Sequence, residues 1–152
     1  MTSIEFRVYG LPAPQGSKRS LGNGIMVEAS KKVRPWRIDV QQASMLAYHG
    51  KPIDEPVSIE VDFWFPRPKS HYRTGKYSYL LKTDAPIYAT KTSVGDLDKL
   101  LRSTFDSLSY STGGCILRDD SLVGAVKATK QYADDGLRPG ARIRVALLSL
   151  EC

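Results

Sequence analysis

Two pairs of aspartates stand close together in the stretch GDLDKLLRSTFDSLSYSTGGCILRDD: Asp96 with Asp98, and Asp119 with Asp120. The whole chain carries a formal net charge of +6. Crowded carboxylates repel one another unless a cation or hydrogen-bond donors neutralise them. A basic protein that concentrates acids in this way has a use for them in holding a divalent metal against a polyanion. Carboxylate oxygens about 2.0–2.1 Å from Mg²⁺ hold it with water in the remaining octahedral positions. Such an ion activates water and stabilises charge on a scissile phosphate.

Each pair also has an ordinary structural explanation. Asp96 follows Gly95 and suits an N-cap, whose non-helical backbone would let its side chain turn toward the same place as that of Asp98. In a competing frame Ser93 is the N-cap and Asp96 the third helical residue, as in a capping box. Adjacent acids such as Asp119 and Asp120 are common in turns. Residue types alone leave these frames open.

The elements that must position these acids follow from periodicity. Ile4, Phe6 and Val8 alternate with polar residues as a half-buried strand does, and Val57, Ile59, Val61, Phe63 and Phe65 make the clearest strand of the chain. Leu11 to Gly24, rich in Pro, Gly and Ser, reads as a loop that carries Lys18 and Arg19, and Ile25 to Glu28 as a short strand. Trp36, Val40, Ala43 and Ala47 recur at helical spacing, with Lys31, Lys32, Arg34 and Arg37 crowded at the start. Cations in a first turn oppose the helix dipole at a cost of about 0.3–1 kcal/mol each, which a phosphate contact would offset. Leu97, Leu100, Leu101, Phe105 and Leu108 mark an amphipathic second helix. Cys115 to Leu117, Leu122 to Tyr132 and the run Ile143, Val145, Leu147 read as extended. The expectation is an α+β fold: a single mixed β-sheet with two helices packed on it, in one domain over residues 1–152.

Between Pro66 and about Val94 lies a long connection with Arg67, Lys69, Arg73, Lys76 and Lys82 interleaved with His71, Tyr72, Tyr77 and Tyr79. Cations that contact phosphates and aromatics that stack on bases make it a candidate DNA-contacting flap, or else a hairpin packed on the core. Glu60 and Asp62 lie on the polar side of their strand and could approach the acids or simply face solvent. Cys115 and Cys152 lack metal-site spacing, as do His49 and His71. No run approaches the roughly 20 apolar residues of a membrane span, and the N-terminus lacks the pattern of a secretory signal, so the expected location is cytoplasmic. The absence of a Gly-x-x-x-x-Gly-Lys-Ser/Thr loop argues against ATP-driven chemistry.

Gly95-Asp96-Leu97-Asp98-Lys99-Leu100, Phe105-Asp106-Ser107-Leu108, Asp119-Asp120-Ser121-Leu122-Val123 and Lys130 together resemble the RusA family of Holliday junction resolvases, common in phages and prophages. The family pattern is close to Asp-Leu-Asp-Asn-Leu, a basic residue two positions later, Asp-Ala-Leu, and Asp-Asp before a strand ending in Lys. The resemblance implies a Mg²⁺-dependent (or Mn²⁺-dependent) endodeoxyribonuclease that resolves four-way junctions in DNA recombination and repair. It implies a RusA-like fold, a homodimer, and, for a phage-encoded chain, the host cytoplasm.

By that resemblance Asp96, Asp98 and Asp120 are the metal-binding catalytic acids, with Asp119 and Asp106 in supporting roles. Arg102 stands where the family has Lys, and being a planar fork that holds its proton firmly it suits phosphate binding better than proton transfer. It also lies four residues after Asp98, at ordinary salt-bridge spacing. Lys99 replaces the usual Asn. The expected DNA contacts are Lys18, Arg19, Arg34, Arg37, Arg67, Lys69, Arg73, Lys76, Lys99 and Lys130. A non-catalytic, structure-selective DNA-binding protein, or a nuclease acting on other branched or flapped DNA, fits the same residues.

Overall fold

The computed structural model describes residues 3–16, 18–22, 24–28, 31–134 and 136–148, with only the backbone of 18–21 and 25–28. The alternating residues of β4 (Val57–Phe65) bury every odd position, and this strand is the spine of the molecule. β1 (Ser3–Tyr9) and β6 (Gly140–Leu147) pair antiparallel, β6 pairs antiparallel with β4, and β5 (Val123–Tyr132) pairs parallel with β4. The four-stranded order is therefore β1-β6-β4-β5, a mixed sheet as expected. A parallel neighbour needs a long crossover. Here the connection after β4 and the helix α2 (Leu97–Leu108) supply it.

α1 (Val33–Ala47) and α2 lie on the face that carries Ile59, Val61, Phe63, Ile143 and Val145. Trp36, fully buried, tilts against Phe63 with ring centroids 6.4 Å apart and donates its indole N–H to Thr104 Oγ1 at 3.2 Å. One residue thus ties α1 to both the sheet and α2.

The other face of the sheet is charged and, among the described residues, carries no helix. Arg142 bridges Asp62 at 2.6 Å and Glu5 at 2.9 Å, Arg144 lies 3.8 Å from Glu60, and the Arg7 guanidinium stacks 4.1 Å above the Trp64 ring. Glu60 and Asp62 are therefore engaged in cross-strand ion pairs, on the face away from the helices.

Two segments read as loop are more ordered than composition suggested. Lys18–Gly22 is a strand, β2, paired antiparallel with β3 (Ile25–Glu28), with an irregularity between Ser20 and Gly22. Backbone pairing across a Gly-containing turn overrides the loop-like residues. The connection from 66 to 94 is built from 3₁₀ turns at Lys69–His71, Gly75–Tyr77 and Thr92–Val94. Its anchor is Arg67, whose side chain is only 2% exposed. Arg67 makes two hydrogen bonds to the Asp134 carboxylate at 2.6 and 2.9 Å, a third to the Pro86 carbonyl at 2.6 Å, and stacks on Tyr132. Arg67, one of the expected DNA contacts, is desolvated and paired here, and its guanidinium holds the connection down.

His71 sits in the same cluster, its Nδ1 3.2 Å from an Arg67 nitrogen and its ring edge-on to Tyr132. Burial, reinforced by the charges of Arg67, Lys91 and Lys82, holds its pKa below the usual histidine value, while Asp134 works in the opposite direction. A lowered folded-state pKa means that the unfolded chain binds the proton more readily, so stability is full above the ordinary histidine range and falls as the pH drops through it. Denaturant titrations between pH 7.5 and 5 should show this loss in the parent and a flatter profile in His71→Gln. An equally steep profile in the variant would assign the pH dependence to other groups.

Candidate active site

α2 begins where Gly95 permits it. Gly95 has φ 91° and ψ 166°, a region essentially reserved for glycine. A Cβ there would lie 2.5 Å from Pro14 Cγ. Lys130 Nζ donates to the Gly95 carbonyl at 2.8 Å, tying β5 to this turn. The next residue, Asp96, has extended backbone and is the N-cap, which resolves the frame left open by the sequence against Ser93. Its carboxylate makes no capping hydrogen bond and is 72% exposed, 3.9 Å from Lys99 Nζ.

A strap made of the residues after β1 runs along α2. Gln15 N–H donates to the Lys99 carbonyl at 3.0 Å, Ser103 Oγ donates to the Ala13 carbonyl at 2.6 Å, and Gln15 Nε2 donates to Asp106 Oδ2 at 2.6 Å. Pro14, Gln15, Gly16, Thr92, Gly95, Asp96 and Lys99 line a cleft of about 230 Å³ between strap and helix. A second cavity of about 190 Å³ is bordered by Lys32, Phe65, Ser93, Val94 and the strap. It brings the start of α1, the end of β4 and the start of α2 together. Both helices therefore turn their positive N-terminal ends to one end of the sheet, where phosphate is favoured. α1 has no acid in its first turn to compete.

Asp98 and Arg102 are exposed on the outward side of α2. Among the described residues neither side chain forms an ion pair, so the salt bridge that their spacing allows is not made and both stay available. Asp119 is occupied: it accepts from Ser121 N–H at 3.0 Å and from Ser111 Oγ at 2.9 Å, capping the 3₁₀ turn Asp120–Leu122. The Ser121 hydrogen bonds, then that of Ser111, hold its pKa below the ordinary carboxylate value. Asp120 behaves oppositely. Burial first, then the charges of Asp119 and Asp106, raise its pKa, so a nearby cation would relieve it.

Asp120 thus has Asp106 and Asp119 as its acidic neighbours, beside the C-terminal half of α2, whereas Asp96 and Asp98 stand at the helix start. Among the described residues no three His, Cys, Asp or Glu side chains are grouped to hold one metal ion. The carboxylates are the right donors for Mg²⁺ or Mn²⁺, but the chain by itself does not gather Asp96, Asp98 and Asp120 around one point.

The expected DNA contacts are dispersed. Lys99 borders the cleft at the helix start, and Lys130 is partly buried as the anchor of Gly95. Arg34 and Arg37 border a cavity of about 430 Å³ on α1, where Arg37 also donates to the Thr112 carbonyl at 3.4 Å. Lys69 is exposed; Arg73 donates to the Leu81 carbonyl at 3.3 Å, and Lys76 sits over Tyr77. The side chains of Lys18 and Arg19 lie outside the described residues, as does Cys152. Gln15 and Pro14, which set the strap on α2, carry no sequence signal beyond a loop-like composition.

Acids along one helix, beside a sheet end that collects cations and helix N-termini, define a domain suited to working on phosphodiesters. The family model for Endodeoxyribonuclease RusA matches residues 10–146, and the chain belongs to this family. RusA-family nucleases act on branched DNA junctions and generally depend on a divalent metal. No individual curated protein matched the chain. Among the described residues no helix is long and apolar enough to cross a membrane.

The Gly95 turn makes a direct test of this construction. Gly95→Ala should cost about 1–3 kcal/mol, because it combines a glycine-only backbone with a clash against Pro14. It should also expose the strap to proteolysis near residues 10–16. Wild-type stability and wild-type protection in this variant would show that the strap does not depend on the turn.

Proposed function

We propose that this protein is a metal-dependent Holliday junction resolvase that cuts branched DNA during recombination and repair, working as a homodimer. The observation that carries this reading is the RusA family match, which spans Asp96, Asp98, Arg102, Asp106 and Asp120 in one continuous stretch. Asp96, Asp98 and Asp120 are the metal-holding acids in this reading, and Mg²⁺ or Mn²⁺, once bound, supplies a Lewis acid and a polarised water.

The side chains themselves define the other roles. Arg102 is exposed and, among the described residues, forms no ion pair, and its planar fork can take two phosphate oxygens at once. Lys99, beside Asp96, adds a cation where the family pattern has a neutral amide. Arg34, Arg37, Lys69, Arg73 and Lys76 lie outside the cleft and suit the arms of a branched substrate, together with Lys18 and Arg19 on the β2–β3 hairpin. Two cuts on opposing strands call for two sites related by a two-fold axis, which a homodimer provides.

The test is a cleavage panel of matched four-way junction, flap, duplex and single-stranded DNA in Mg²⁺ and in Mn²⁺, run beside a binding assay. The junction should be cut fastest. Asp98→Asn should lower cleavage at least 100-fold while leaving junction affinity within a few-fold. Cleavage retained by Asp98→Asn would remove that acid from the chemistry. Tight junction binding by the parent without cleavage under either metal would replace this reading with a structure-selective binding protein, and preferential cutting of flaps would move the substrate to other branched DNA.

A further inference from the structure

Residues 66–83 contain Arg67, Lys69, Arg73, Lys76 and Lys82 and no acid. Arg67 is held by Asp134, but among the described residues the other four cations form no ion pair. The same stretch folds into a narrow hairpin. Arg73 N–H donates to the Leu80 carbonyl at 2.8 Å, Lys82 N–H donates to the His71 carbonyl at 2.9 Å, and Tyr72 pairs antiparallel with Leu81. Every residue from Arg73 to Leu80 is exposed, and a Cβ on Gly75 would meet nothing within 4 Å, so the tip stands clear of the domain. On that tip Tyr79 is 72% and Tyr77 47% exposed, with Lys76 Nζ 5.2 Å from the centre of the Tyr77 ring.

A two-stranded hairpin needs support from a larger structure to persist in water. Here the support is all at the base. Arg67 binds Asp134, His71 lies against Arg67 and Tyr132, and the returning chain pairs with β5 through Tyr132 N–H to the Ile87 carbonyl at 3.0 Å and Ala89 N–H to the Lys130 carbonyl at 2.9 Å. Both ends of the connection reach the candidate site, because Pro66 and Val94 border the same cavity near the start of α2. The hairpin therefore rises from the rim of the site on an anchored stalk, with two aromatic rings and a set of unneutralised cations turned outward.

We propose that this hairpin reads the branch of the substrate: Tyr79 and Tyr77 stack on bases left unstacked at the branch centre, while Lys69, Arg73, Lys76 and Lys82 hold the phosphates on either side. This rests on the branched-DNA reading under Proposed function and adds to it a means of telling a junction from a duplex. In continuous B-form DNA each base face is covered by its neighbours, so a tyrosine reaches one only by breaking a stack. At the centre of an open four-way junction the stack is interrupted, and an aromatic ring accepts any base because every base has a π-face. The cations cannot make this distinction, since phosphates line both substrates.

The experiment measures binding with EDTA present, on a four-way junction and on a matched duplex, for the parent, a Tyr77→Ala/Tyr79→Ala variant and a Tyr77→Phe/Tyr79→Phe variant. Both tyrosines project into solvent, so each variant should melt as the parent does. Junction affinity should fall about 10- to 100-fold in the alanine variant and return to within about twofold in the phenylalanine variant, with duplex affinity within about twofold of the parent in both. The salt dependence of binding should stay unchanged in these variants, whereas Lys76→Gln should flatten it for both substrates. 5-Iododeoxyuridine at the branch centre, irradiated in the parent complex, should crosslink to a peptide containing Tyr77 or Tyr79, and the same base placed in an arm should not.

Parent-like junction affinity in the alanine variant, an equal loss on junction and duplex, or crosslinks that avoid residues 73–82 would overturn the role of the hairpin. That failure is separable from failure of the functional reading. A parent that cuts junctions while the alanine variant binds them equally well loses only the hairpin's role; a parent with no preference for branched DNA loses both.

Discussion

Pro14 against Gly95, with Lys130 holding the Gly95 carbonyl from the far side, is the contact from which the rest of the site takes its position. It fixes the residue at which α2 starts. One residue earlier or later would rotate the helix by about 100° and turn Asp98 and Arg102 toward the core. It also fixes the strap, because the chain passing over Gly95 through Pro14 next meets Lys99, Ser103 and Asp106 on one side of the same helix. β2 and β3 leave from the end of that strap, so the basic hairpin and the acidic helix share one attachment.

Charge is distributed unevenly around this framework. Glu5, Glu60 and Asp62 on the open sheet face, Asp54 before β4 and Asp134 after β5 each face an arginine, so these acids are neutralised locally. The acids of α2 are treated differently. Asp96 has only a lysine at 3.9 Å, Asp98 has no ion pair among the described residues, and Asp120 is placed among other carboxylates. Burial and the neighbouring carboxylates disfavour the charged form of Asp120, and a cation brought from outside would relieve it.

Much of this was legible in the sequence, and the boundary has a physical basis. The alternation of Val57 to Phe65 and the 3.6-residue spacing of Leu97 to Leu108 report burial on one side, a local property. Gly95 before Asp96 offered the helix start that the structure has, but Ser93 offered a competing one, and residue types alone did not choose between them. Parallel pairing of β4 with β5 has no such mark, and neither has the strand at Lys18–Gly22, since both depend on where distant segments fall. Arg67 looked like a DNA contact among other cations. Only the fold reveals that Asp134, 67 residues away, and the Pro86 carbonyl take three of its hydrogen-bond donors. The acids were legible as a set but not as a geometry: their spacing in sequence says nothing about α2 and β5 running in opposite directions, which is what sends Asp120 to the other end of the helix.

Two cuts on opposing strands ask for two sites related by a two-fold axis, which the proposed homodimer would supply. The charges of Asp98 and Arg102, without ion pairs among the described residues, serve such a site better than an intrahelical salt bridge would: an i, i+4 pair contributes only about 0.2–0.5 kcal/mol to the isolated helix, whereas unpaired charges remain available to a cation and to phosphate. Lys99 and Arg102, two positions where this chain departs from the family pattern, flank the same acids, so this chain's own electrostatic tuning falls beside the proposed metal site.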